Sequence, residues 1–434
     1  MAWDFSTEPE FQAHLDWIRD FVREEIEPLD VLFPGTGAPY DRKNPATRGI
    51  LHPLQEQVKK RGLFACHLGP ALGGQGYGQL KLALMYEILG RSSWAPSAFG
   101  CQAPDSGNAE ILAHYGTPEQ KRRYLEPLLA GEIVSTYSMT EPTGGSDPGQ
   151  FRCRARREGD EWVIDGEKFF ASNYPLAEFV IVMCITNPDV PVHQGASMLL
   201  VPKGTPGMTA LRLSGIFNEP LGQGMHAYLR FEGCRVPAEN LLGPAGAGFQ
   251  IAQTRLGGGR IHHAMRTVGQ CNRAFEMTCE RALSRTTKGS LLAHKQAVEQ
   301  AIADSWIEIV QFRLQVLHAA WTIDRSDTSR ARTEIAGVKV AAPRVLTNVV
   351  GRALHLHGAL GMSNELPLIE MWMGAPMLGV MDGPSEVHQT TIAKQILKEF
   401  QPSAGLWPSE HLPARLEAAR QKYAAWLEHE VGNL

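Results

Sequence analysis

Apolar side chains at the start of the chain recur at the spacing of an α-helix. Phe11, Leu15, Ile18 and Phe21 lie three or four residues apart, so they share one face of a helix. Helical patterns continue beyond this segment until short β-rich runs replace them. The sequence therefore predicts an N-terminal helical domain over residues 1–133.

One Gly-rich segment, LGPALGGQGYGQ at residues 68–79, interrupts this helical region. Its glycines Gly74, Gly76 and Gly78 suggest part of a dinucleotide-binding loop, but the full GxGxxG spacing is missing and no strand precedes them. We therefore interpret the segment as a loop between helices and not as a nicotinamide site.

Short β-rich runs separated by Gly, Pro, Asn and Asp fill the middle of the chain. The runs are EWVIDGEKFF, FVIVMCIT, ASMLLVPKG, MTALRLS and AYLRFEGCRVP. Strands at this spacing are typical of a compact antiparallel barrel or sandwich. The sequence therefore predicts a central β domain over residues 134–242.

The helical period returns after residue 248. One apolar stripe extends over about six turns, and its members are Val298, Ile302, Trp306, Val310, Leu314, Leu317 and Trp321. A helix of this length needs antiparallel partners, so we expect a C-terminal four-helix bundle over residues 243–400. Pro343 falls within the next helical pattern, where it is expected to kink or interrupt the helix.

Residues 401–434 lie outside this pattern, and residues 411–430 read as one more amphipathic helix. The order along the chain is helices, a small β domain and then helices. Because strands and helices do not alternate, this order excludes a parallel α/β enzyme. The predicted fold is mainly α-helical with a central β domain.

Charge and cysteine content narrow the functional classes. A formal net charge of −4 over 434 residues gives no electrostatic reason for binding nucleic acid or an anionic membrane. The 7 cysteines are scattered without a CxxC pair, which argues against a disulfide framework or a metal site. No signal peptide and no apolar run of the roughly 20 residues needed to span a membrane is evident. A cytoplasmic protein is expected.

Two polar segments of the β region can carry chemistry. YSMTEPTGGSD, residues 137–147, has small residues that expose backbone N–H groups able to hold a phosphate or line a flavin edge. Further along, DGEKFFASN at residues 165–173 combines a hairpin turn with aromatic side chains and a hydroxyl. On the residues alone, both segments also fit ordinary turns beside strands.

A third segment, VMDGPSEVH at residues 380–388, precedes the helical pattern HQTTIAKQIL. Pro384 suits the first position of that helix with Gly383 before it, so backbone N–H groups face any ligand at this end. Asp382 falls just outside the helix. Taken alone, Asp382 is equally compatible with a helix-capping carboxylate.

In this order, the three segments resemble the acyl-CoA dehydrogenase family over about residues 10–400. YSMTEPTGGSD is similar to the family's flavin loop, GEKFFASN to its hairpin, and GTPEQKRRYLEPLLAGEI at residues 116–133 to the segment that leads into the loop. PDSGNAEIL and VMDGPSEVH are similar to a subgroup found beside phosphotransferase domains in multidomain relatives.

The resemblance implies FAD bound between the β domain and the helical bundle of a homodimer or homotetramer. It implies that a carboxylate removes the α-proton of an acyl-CoA while the β-hydride moves to the flavin, which gives a trans-2-enoyl-CoA. Asp382 matches the base, and an electron-transfer flavoprotein is the implied electron acceptor. The matching cofactor-binding positions are Tyr137, Met139, Thr140, Ser146, Phe170, Ser172, Arg285, His355, Gly358, Ala359, Pro384 and Glu386.

Some of these implied contacts cross a subunit interface. Arg285 matches an arginine that contacts the FAD pyrophosphate of a neighbouring subunit, and residues 355–361 match the segment that receives the other subunit's ADP portion. Without the family context, each arginine also fits a salt bridge. The implied substrate-binding positions are Ser146, Gly383 and Arg260, the last of which matches an arginine that holds the CoA chain.

Several residues depart from the family pattern. Asp382 stands where the base is usually Glu, so its shorter reach requires substrate or loop to lie closer. Other members carry the base near residues 257–259, where this chain has only glycines, which leaves Asp382 and room for a branched or substituted acyl chain. Gln389 stands where nitroalkane oxidase, which also uses Asp, has Arg. A flavin oxidase of this fold, of the acyl-CoA or nitroalkane oxidase type, and a non-catalytic scaffold are the alternatives.

Overall fold

The computed structural model describes residues 5–35, 37–72, 74–217, 219–326, 330–403 and 405–430. Helices occupy the first part of the chain, strands the middle part and helices the remainder, which confirms the predicted fold class. None of the helices within these ranges is long and apolar enough to cross a membrane. The chain divides into two compact units, Met1–Gln389 and Thr390–Leu434.

The N-terminal helices pack through the apolar faces that their periodicity indicates. The opening helix α1 (Pro9–Phe21) buries all four of its predicted apolar positions, so that prediction is confirmed. The next helices are α2 (Glu27–Leu32), α3 (Pro45–Lys60), α4 (Gly78–Leu89), α5 (Ala95–Ala98), α6 (Asp105–Tyr115), α7 (Pro118–Gln120) and α8 (Glu126–Ala130). The Gly-rich segment forms a short 3₁₀ turn at Pro70–Leu72 before α4 begins.

The middle of the chain forms an eight-stranded sheet. Its strands are β1 (Ser135–Ser138), β2 (Arg154–Glu158), β3 (Glu161–Ser172), β4 (Phe179–Ile185), β5 (Ala196–Pro202), β6 (Met208–Ser214), β7 (His226–Pro237) and β8 (Leu241–Leu242), with a one-turn helix α9 (Val192–Gly195) before β5. The order is β6-β7-β3-β2-β4-β5-β8, and β1 pairs with β4. Each of the five predicted runs forms a strand.

Two features of this sheet differ from the prediction. Strands β1 and β2 were missed because their sequences, STYS and RARRE, are polar and lack the alternation of apolar residues that marks a half-buried strand. Strand β8 was also missed, because it has only 2 residues. The predicted sheet was antiparallel, whereas β1 and β2 both pair with β4 in parallel. The other strand pairs are antiparallel.

Long helices form the C-terminal part of the first unit. They are α10 (Gly248–Ser284), α11 (Gln296–Arg325), α12 (Arg332–His357) and α13 (Leu368–Val380), with a hairpin of β9 (Thr286–Thr287) and β10 (Ser290–Leu291) between α10 and α11; α14 (Ser385–Ile396) begins in the first unit and ends in the second. One buried cluster joins them to the N-terminal helices, with members such as Trp94, Met265, Phe312 and Val350. The bundle and the N-terminal helices therefore share a core.

The stripe predicted on α11 is wrong, and of the two effects predicted for Pro343 the interruption is wrong while the kink stays a prediction. The proposed stripe on α11 is not its buried face, since Trp306 and Leu314 are 57% and 43% exposed, while Ile309 and Phe312 are buried. Positions four residues apart drift by about 40° per step around a helix, so only some members of the stripe, such as Leu317, reach the core. Pro343 does not interrupt α12, which runs continuously through it.

The second unit contains two helices after α14. They are α15 (Leu412–Lys422) and α16 (Ala424–Glu430), so the single helix predicted over residues 411–430 is broken at Tyr423. The large apolar side chains of this segment are exposed, among them Leu412, Leu416, Tyr423, Trp426 and Leu427.

A buried ion pair fastens the first polar segment to the sheet. Lys168 Nζ on β3 lies 2.8 Å from Glu141 Oε1, and the two side chains are 0% and 3% exposed. The same ammonium donates to the carbonyl of Met139 at 2.8 Å. Glu141 also accepts from the backbone N–H groups of Arg152 and Cys153. Both charges are thus hydrogen-bonded, as burial requires.

Removal of the cation from this pair is expected to destabilise the protein strongly. Lys168→Met leaves the carboxylate of Glu141 buried without its counter-charge, at a cost of about 3–5 kcal/mol, which urea denaturation followed by circular dichroism can measure. Arg156→Met is the control, because it removes an exposed cation paired with Glu158 and Asp165 and should change stability little. Equal midpoints for the two variants would contradict the importance of the buried pair.

Candidate functional site

Asp382 lies in a tight loop between α13 and α14. The first of these helices ends at Val380 and the second begins at Ser385, one residue later than predicted. Asp382 has a φ of 55° and Gly383 a φ of 100°. A left-handed conformation in a residue other than glycine costs on the order of 1–3 kcal/mol and is found most often at functional sites. The loop therefore marks a candidate catalytic position.

Two side chains hold the backbone carbonyl of Asp382. Arg260 Nε on α10 donates to this oxygen at 2.8 Å, and His388 Nε2 on α14 lies 3.2 Å from it. Burial lowers the pKa of His388 to about 4, so the neutral ring donates its Nε2–H. A Cβ at position 383 would come within 2.9 Å of that nitrogen, so Gly383 is required for the approach of the ring.

The carboxylate of Asp382 faces α10 at a glycine. A Cβ on Gly259 would lie 3.4 Å from Asp382 Oδ2, and His263 Nε2, one turn further along α10, is 3.8 Å from the same oxygen. Burial, aided by Arg266, lowers the pKa of His263 to about 3, so this neighbour is a neutral ring. Lys339 is also near, and burial lowers its pKa to about 8 against the opposing charge of Asp382.

A second carboxyl group lies beside the preceding glycine of α10. A Cβ on Gly258 would lie 2.9 Å from Glu110 Oε2, so the missing side chain makes space for a carboxyl from α6. Burial raises the pKa of Glu110 to about 7, against the opposing charge of Arg255. Glycines at 257–259 supply no carboxylate, but the structure brings one there from elsewhere in the chain.

Tyr137 connects this acidic region to the predicted flavin loop. The Arg255 guanidinium lies 3.9 Å from the centre of the Tyr137 ring and donates from Nε to Asn108 Oδ1 at 2.8 Å. Burial raises the pKa of Tyr137, and the charge of Asp382 adds to the shift. Its hydroxyl donates to Met139 Sδ at 3.6 Å. Tyr137 therefore lies between the Asp382 loop and the segment that follows β1.

The segment after β1 presents polar groups toward the surface. The carbonyl of Thr140 accepts from the N–H of Phe169 on β3 at 2.9 Å, which orders the start of the segment. Ser146 and Gly145 are exposed, whereas Ser138 Oγ is buried and makes no hydrogen bond. Exposed small residues next to a buried hydroxyl that lacks a partner fit the edge of a flavin.

Phe170 is displaced from the regular strand. The pairing of β3 with β7 is irregular between Lys168 and Ala171, and Phe170 has a φ of 54° and a 49% exposed side chain. Nearby, Ser172 Oγ lies 2.9 Å from His226 Nδ1, and burial lowers the pKa of His226. An uncovered aromatic ring beside a hydroxyl suits a planar apolar ring system such as isoalloxazine.

The remaining predicted cofactor positions lie on the surface. Arg285, at the end of α10, and His355, near the end of α12, are both exposed. Gly358 and Ala359 follow in an exposed 3₁₀ turn. His355 lines a groove of about 500 Å³ between α11 and α12, a size within the roughly 300–1,000 Å³ of ligand pockets.

The predicted site residues thus fall into three places. The Asp382 loop and its neighbours contain Asp382, Gly383, Pro384 and Arg260, with Glu386 exposed in the first turn of α14. The region of β1 and β3 contains Tyr137, Met139, Thr140, Ser146, Phe170 and Ser172. The surface positions are Arg285, His355, Gly358 and Ala359. Tyr137 links the first two places, since it lies on β1 and senses the charge of Asp382.

Sequence reasoning missed several neighbours of the candidate base. His263 had a usable signal, because it follows Gly259 by four residues in RLGGGRIHH and so shares its helix face. His388 lies in the quoted segment VMDGPSEVH, but no pattern indicated that its ring turns back to Asp382. Glu110 and Lys339 come from distant helices, and nothing local to them marks their proximity.

Sequence profiles match this chain along almost its whole length. The acyl-CoA dehydrogenase N-terminal domain matches residues 8–132, the middle domain residues 136–233, and the C-terminal domain residues 246–397.

Individual proteins are similar over comparable lengths. The "Probable acyl-CoA dehydrogenase FadE2" of Mycobacterium tuberculosis is 40% identical over 90% of this chain and 92% of its own length. Human acyl-CoA dehydrogenase family member 11 is 41% identical over 81% of this chain, which spans only 45% of that longer protein. A candidate acyl-CoA dehydrogenase from Mycobacterium abscessus superimposes with a TM-score of 0.83 and 37% identity, over 92% of this chain and 100% of that structure. The chain therefore belongs to the acyl-CoA dehydrogenases, a family of flavoprotein oxidoreductases that act on acyl-CoA thioesters.

Proposed function

We propose that this protein catalyses the FAD-dependent α,β-dehydrogenation of an acyl-CoA to the trans-2-enoyl-CoA. The observation that carries the proposal is the setting of Asp382, a left-handed residue whose carbonyl is held by side chains from two helices. A helix-capping carboxylate, which would accept hydrogen bonds from the first turn of α14, is the alternative role for Asp382. Asp382 Oδ2 faces the side-chain-free surface at Gly259.

Asp382 is assigned the removal of the α-proton. An ion pair would occupy the oxygen that must accept this proton, and in the described chain the basic side chain within 4 Å of it is the neutral ring of His263. The backbone N–H of Asp382 is the donor assigned to the thioester carbonyl, where negative charge develops as the proton leaves. Arg260 and His388 fix the backbone and so the direction of both groups.

The residues of β1 and β3 would hold the isoalloxazine part of FAD. When bound, FAD supplies the acceptor for the β-hydride. Thr140 and Ser146 offer hydroxyls, Tyr137 and Met139 line the side nearest Asp382, and Phe170 offers an uncovered ring. Ser172, with Pro384 and Glu386 across the site, completes the proposed set.

The surface positions support a subunit interface. Arg285, His355, Gly358 and Ala359 are exposed in the single chain, as expected if each serves the FAD of a neighbouring subunit in a homodimer or homotetramer. The apolar side chains exposed on α11, such as Trp306, are a further surface for such contacts. An electron-transfer flavoprotein is the proposed electron acceptor.

Arg260 has two proposed tasks. Its Nε is committed to the carbonyl of Asp382, which leaves the terminal N–H groups for the CoA chain. Ser146 and Gly383 are the other proposed substrate contacts. The family resemblance suggested only the contact with CoA. The hydrogen bond from Arg260 to the carbonyl of Asp382 supports the second task, which is to position the proposed base.

Oxidase activity is the competing function, because the base is Asp as in nitroalkane oxidase. Oxygen uptake by the reduced protein, compared with reduction of an artificial electron acceptor, separates the two reactions. Rapid oxygen consumption with hydrogen peroxide release would establish an oxidase. A colourless protein that takes up no FAD would establish a scaffold.

Asp382→Asn tests the base directly. The amide keeps the shape of the side chain but cannot accept the proton, so flavin reduction by a confirmed acyl-CoA should slow by about 10²-fold or more. The variant should still retain FAD and bind acyl-CoA, and Asp382→Glu should keep measurable activity. Anaerobic stopped-flow absorbance of the flavin is the measurement, with Asp304→Asn on the exposed side of α11 as control. Near-normal reduction in the Asn variant would place the base elsewhere.

Arg285→Ala tests the assignment across the interface. A charge-assisted hydrogen bond to the pyrophosphate contributes roughly 1.5–3 kcal/mol, so the FAD dissociation constant should rise by about 10-fold or more. Fluorescence of released FAD after dilution reports this change. Arg48→Ala, an exposed residue of α3, serves as control, and the same dissociation constant in both variants would sink the assignment.

Glu110→Gln tests the second carboxyl through the pH dependence of stability. The folded-state pKa of about 7 lies above the ordinary value of 4.5, so the stability from protonated Glu110 is present below pH 4.5 and is lost as pH rises through 7. The variant should unfold at higher temperature than the native protein at pH 8, by the equivalent of roughly 1–3 kcal/mol, and at the same temperature at pH 4. A difference that does not vary with pH would contradict the burial of this group.

A further inference from the structure

A group of buried basic side chains lies further along α10, beyond the Asp382 region. Arg266 is on α10, Arg42 is in the loop before α3, and His67 is in the loop after α3. The three side chains surround the segment from Cys101 to Ser106 that leads into α6. The proposed proton transfer uses none of them.

Arg42 is an unpaired cation inside the protein. Its Nη1 donates to the carbonyl of Pro39 at 2.7 Å, while Nε and Nη2 are inaccessible to solvent and make no hydrogen bond within the described chain. Burial lowers the pKa of Arg42, and Asp105 and Tyr40 oppose the shift. Buried guanidinium groups are normally paired with an anion.

Asp105, the carboxylate that most opposes the lowering of the Arg42 pKa, already accepts hydrogen bonds from other residues. Asp105 Oδ1 accepts from the N–H and the hydroxyl of Ser135, at 2.8 and 2.6 Å, and Oδ2 accepts from Gln102 Nε2 at 3.0 Å. Asp105 makes no ion pair with Arg42 among the described contacts. The N–H groups of Arg42 Nε and Nη2 therefore have no acceptor in the described chain.

His67 and Arg266 also lack an anionic partner. Within the described chain, neither ring nitrogen of His67 makes a hydrogen bond, although the backbone of Ser106 is near enough to oppose the lowering of its pKa. Burial lowers the pKa of His67 to about 4, so the ring is neutral and has one N–H to donate. Arg266 donates to the carbonyl of Cys101 at 3.3 Å and lies 3.2 Å from His263 Nδ1, and its guanidinium lies 5.6 Å from the centre of the Tyr86 ring.

This group lies in line with the candidate base. Gly259, His263 and Arg266 are four and three residues apart on α10, so they share one helix face. The rise from Gly259 to Arg266 is about 10 Å. A chain that begins at Asp382 and follows this face therefore reaches Arg266.

We propose that Arg42, Arg266 and His67 form a subsite for an oxyanion carried by the acyl chain of the substrate. The inference deepens the proposed acyl-CoA dehydrogenation and rests on it. Guanidinium groups bind carboxylate and phosphate oxygens through paired N–H donors, and the neutral His67 adds one more donor. A purely hydrocarbon chain would leave all these donors buried without partners.

The substrate preference of the holoenzyme tests the subsite. Acyl-CoAs of six, eight and ten carbons that end in a methyl group are compared with those of equal length that end in a carboxylate, by steady-state kcat/KM with an artificial electron acceptor. At the best length, the carboxylate-ended substrate should be preferred by at least about 10-fold. A preference for the methyl-ended substrate at every length overturns the proposal.

Variants of Arg42 test whether this residue is responsible for the preference for carboxylate-ended substrates. Arg42→Gln should reduce the preference to about one, and Arg42→Lys, which keeps the charge, should retain part of it. Arg48→Gln, an exposed position on α3, should leave the preference as in the native protein. If Arg42→Gln fails to fold, the lysine variant and the native protein still decide the question. An unchanged preference in either folded Arg42 variant overturns the assignment.

Binding measurements separate this subsite from the proposed reaction and from a general anion site. Calorimetry of the carboxylate-ended and methyl-ended substrates needs no turnover, so it decides the subsite even if no acyl-CoA reduces the flavin and the proposed function fails. Inorganic phosphate alone provides the second arm. Stabilisation by phosphate that depends on Arg42, without tighter binding of the carboxylate-ended substrate, would mean a free-anion site and would overturn the proposal.

Discussion

The geometry of the flavin side of the site depends on the buried ion pair between Lys168 and Glu141. Lys168 belongs to the strand that carries Phe170 and Ser172, while Glu141 belongs to the segment that carries Met139 and Thr140. The pair and its backbone hydrogen bonds bring the two segments together without solvent. A looser contact would let the two groups of proposed flavin residues move independently, and a preorganised site does not allow that.

Local sequence patterns predicted the opening helix and five strands. The helix was found because its apolar residues follow the helical period, and the strands because β-rich runs are bounded by Gly, Pro, Asn and Asp. Strands β1 and β2 were missed because they are held by neighbouring strands, and not by an apolar pattern of their own. The stripe on α11 was misread because exposed apolar residues, such as Trp306, repeat at nearly helical spacing. Periodicity alone cannot tell a core face from a surface on which another molecule packs.

The candidate site also contains some residues that the sequence identified and others that it did not. Each polar segment, including the one that contains Asp382, is a continuous stretch of sequence, so its resemblance to a family was visible. The roles assigned to its residues stay predictions. Residues that come together only through tertiary packing left no local signal. The glycines at 257–259 exclude a carboxylate that belongs to α10 itself. Glu110 enters the same space from α6, because those glycines leave it open.

Burial around α10 also decides which groups hold protons near neutral pH. Four imidazoles there are kept neutral, because burial and the nearby arginines lower the pKa of His67 and His388 to about 4, that of His263 to about 3 and that of His262 well below its ordinary value. The same burial raises the pKa of Glu110 to about 7 and lowers that of Lys339 to about 8. Desolvation thus raises the pKa of a buried acid and lowers the pKa of a buried base. The groups that change charge between pH 6 and 9 in this region are therefore a carboxyl and an ammonium, so a pH dependence near 7 should not be assigned to a histidine simply because imidazole ordinarily titrates there.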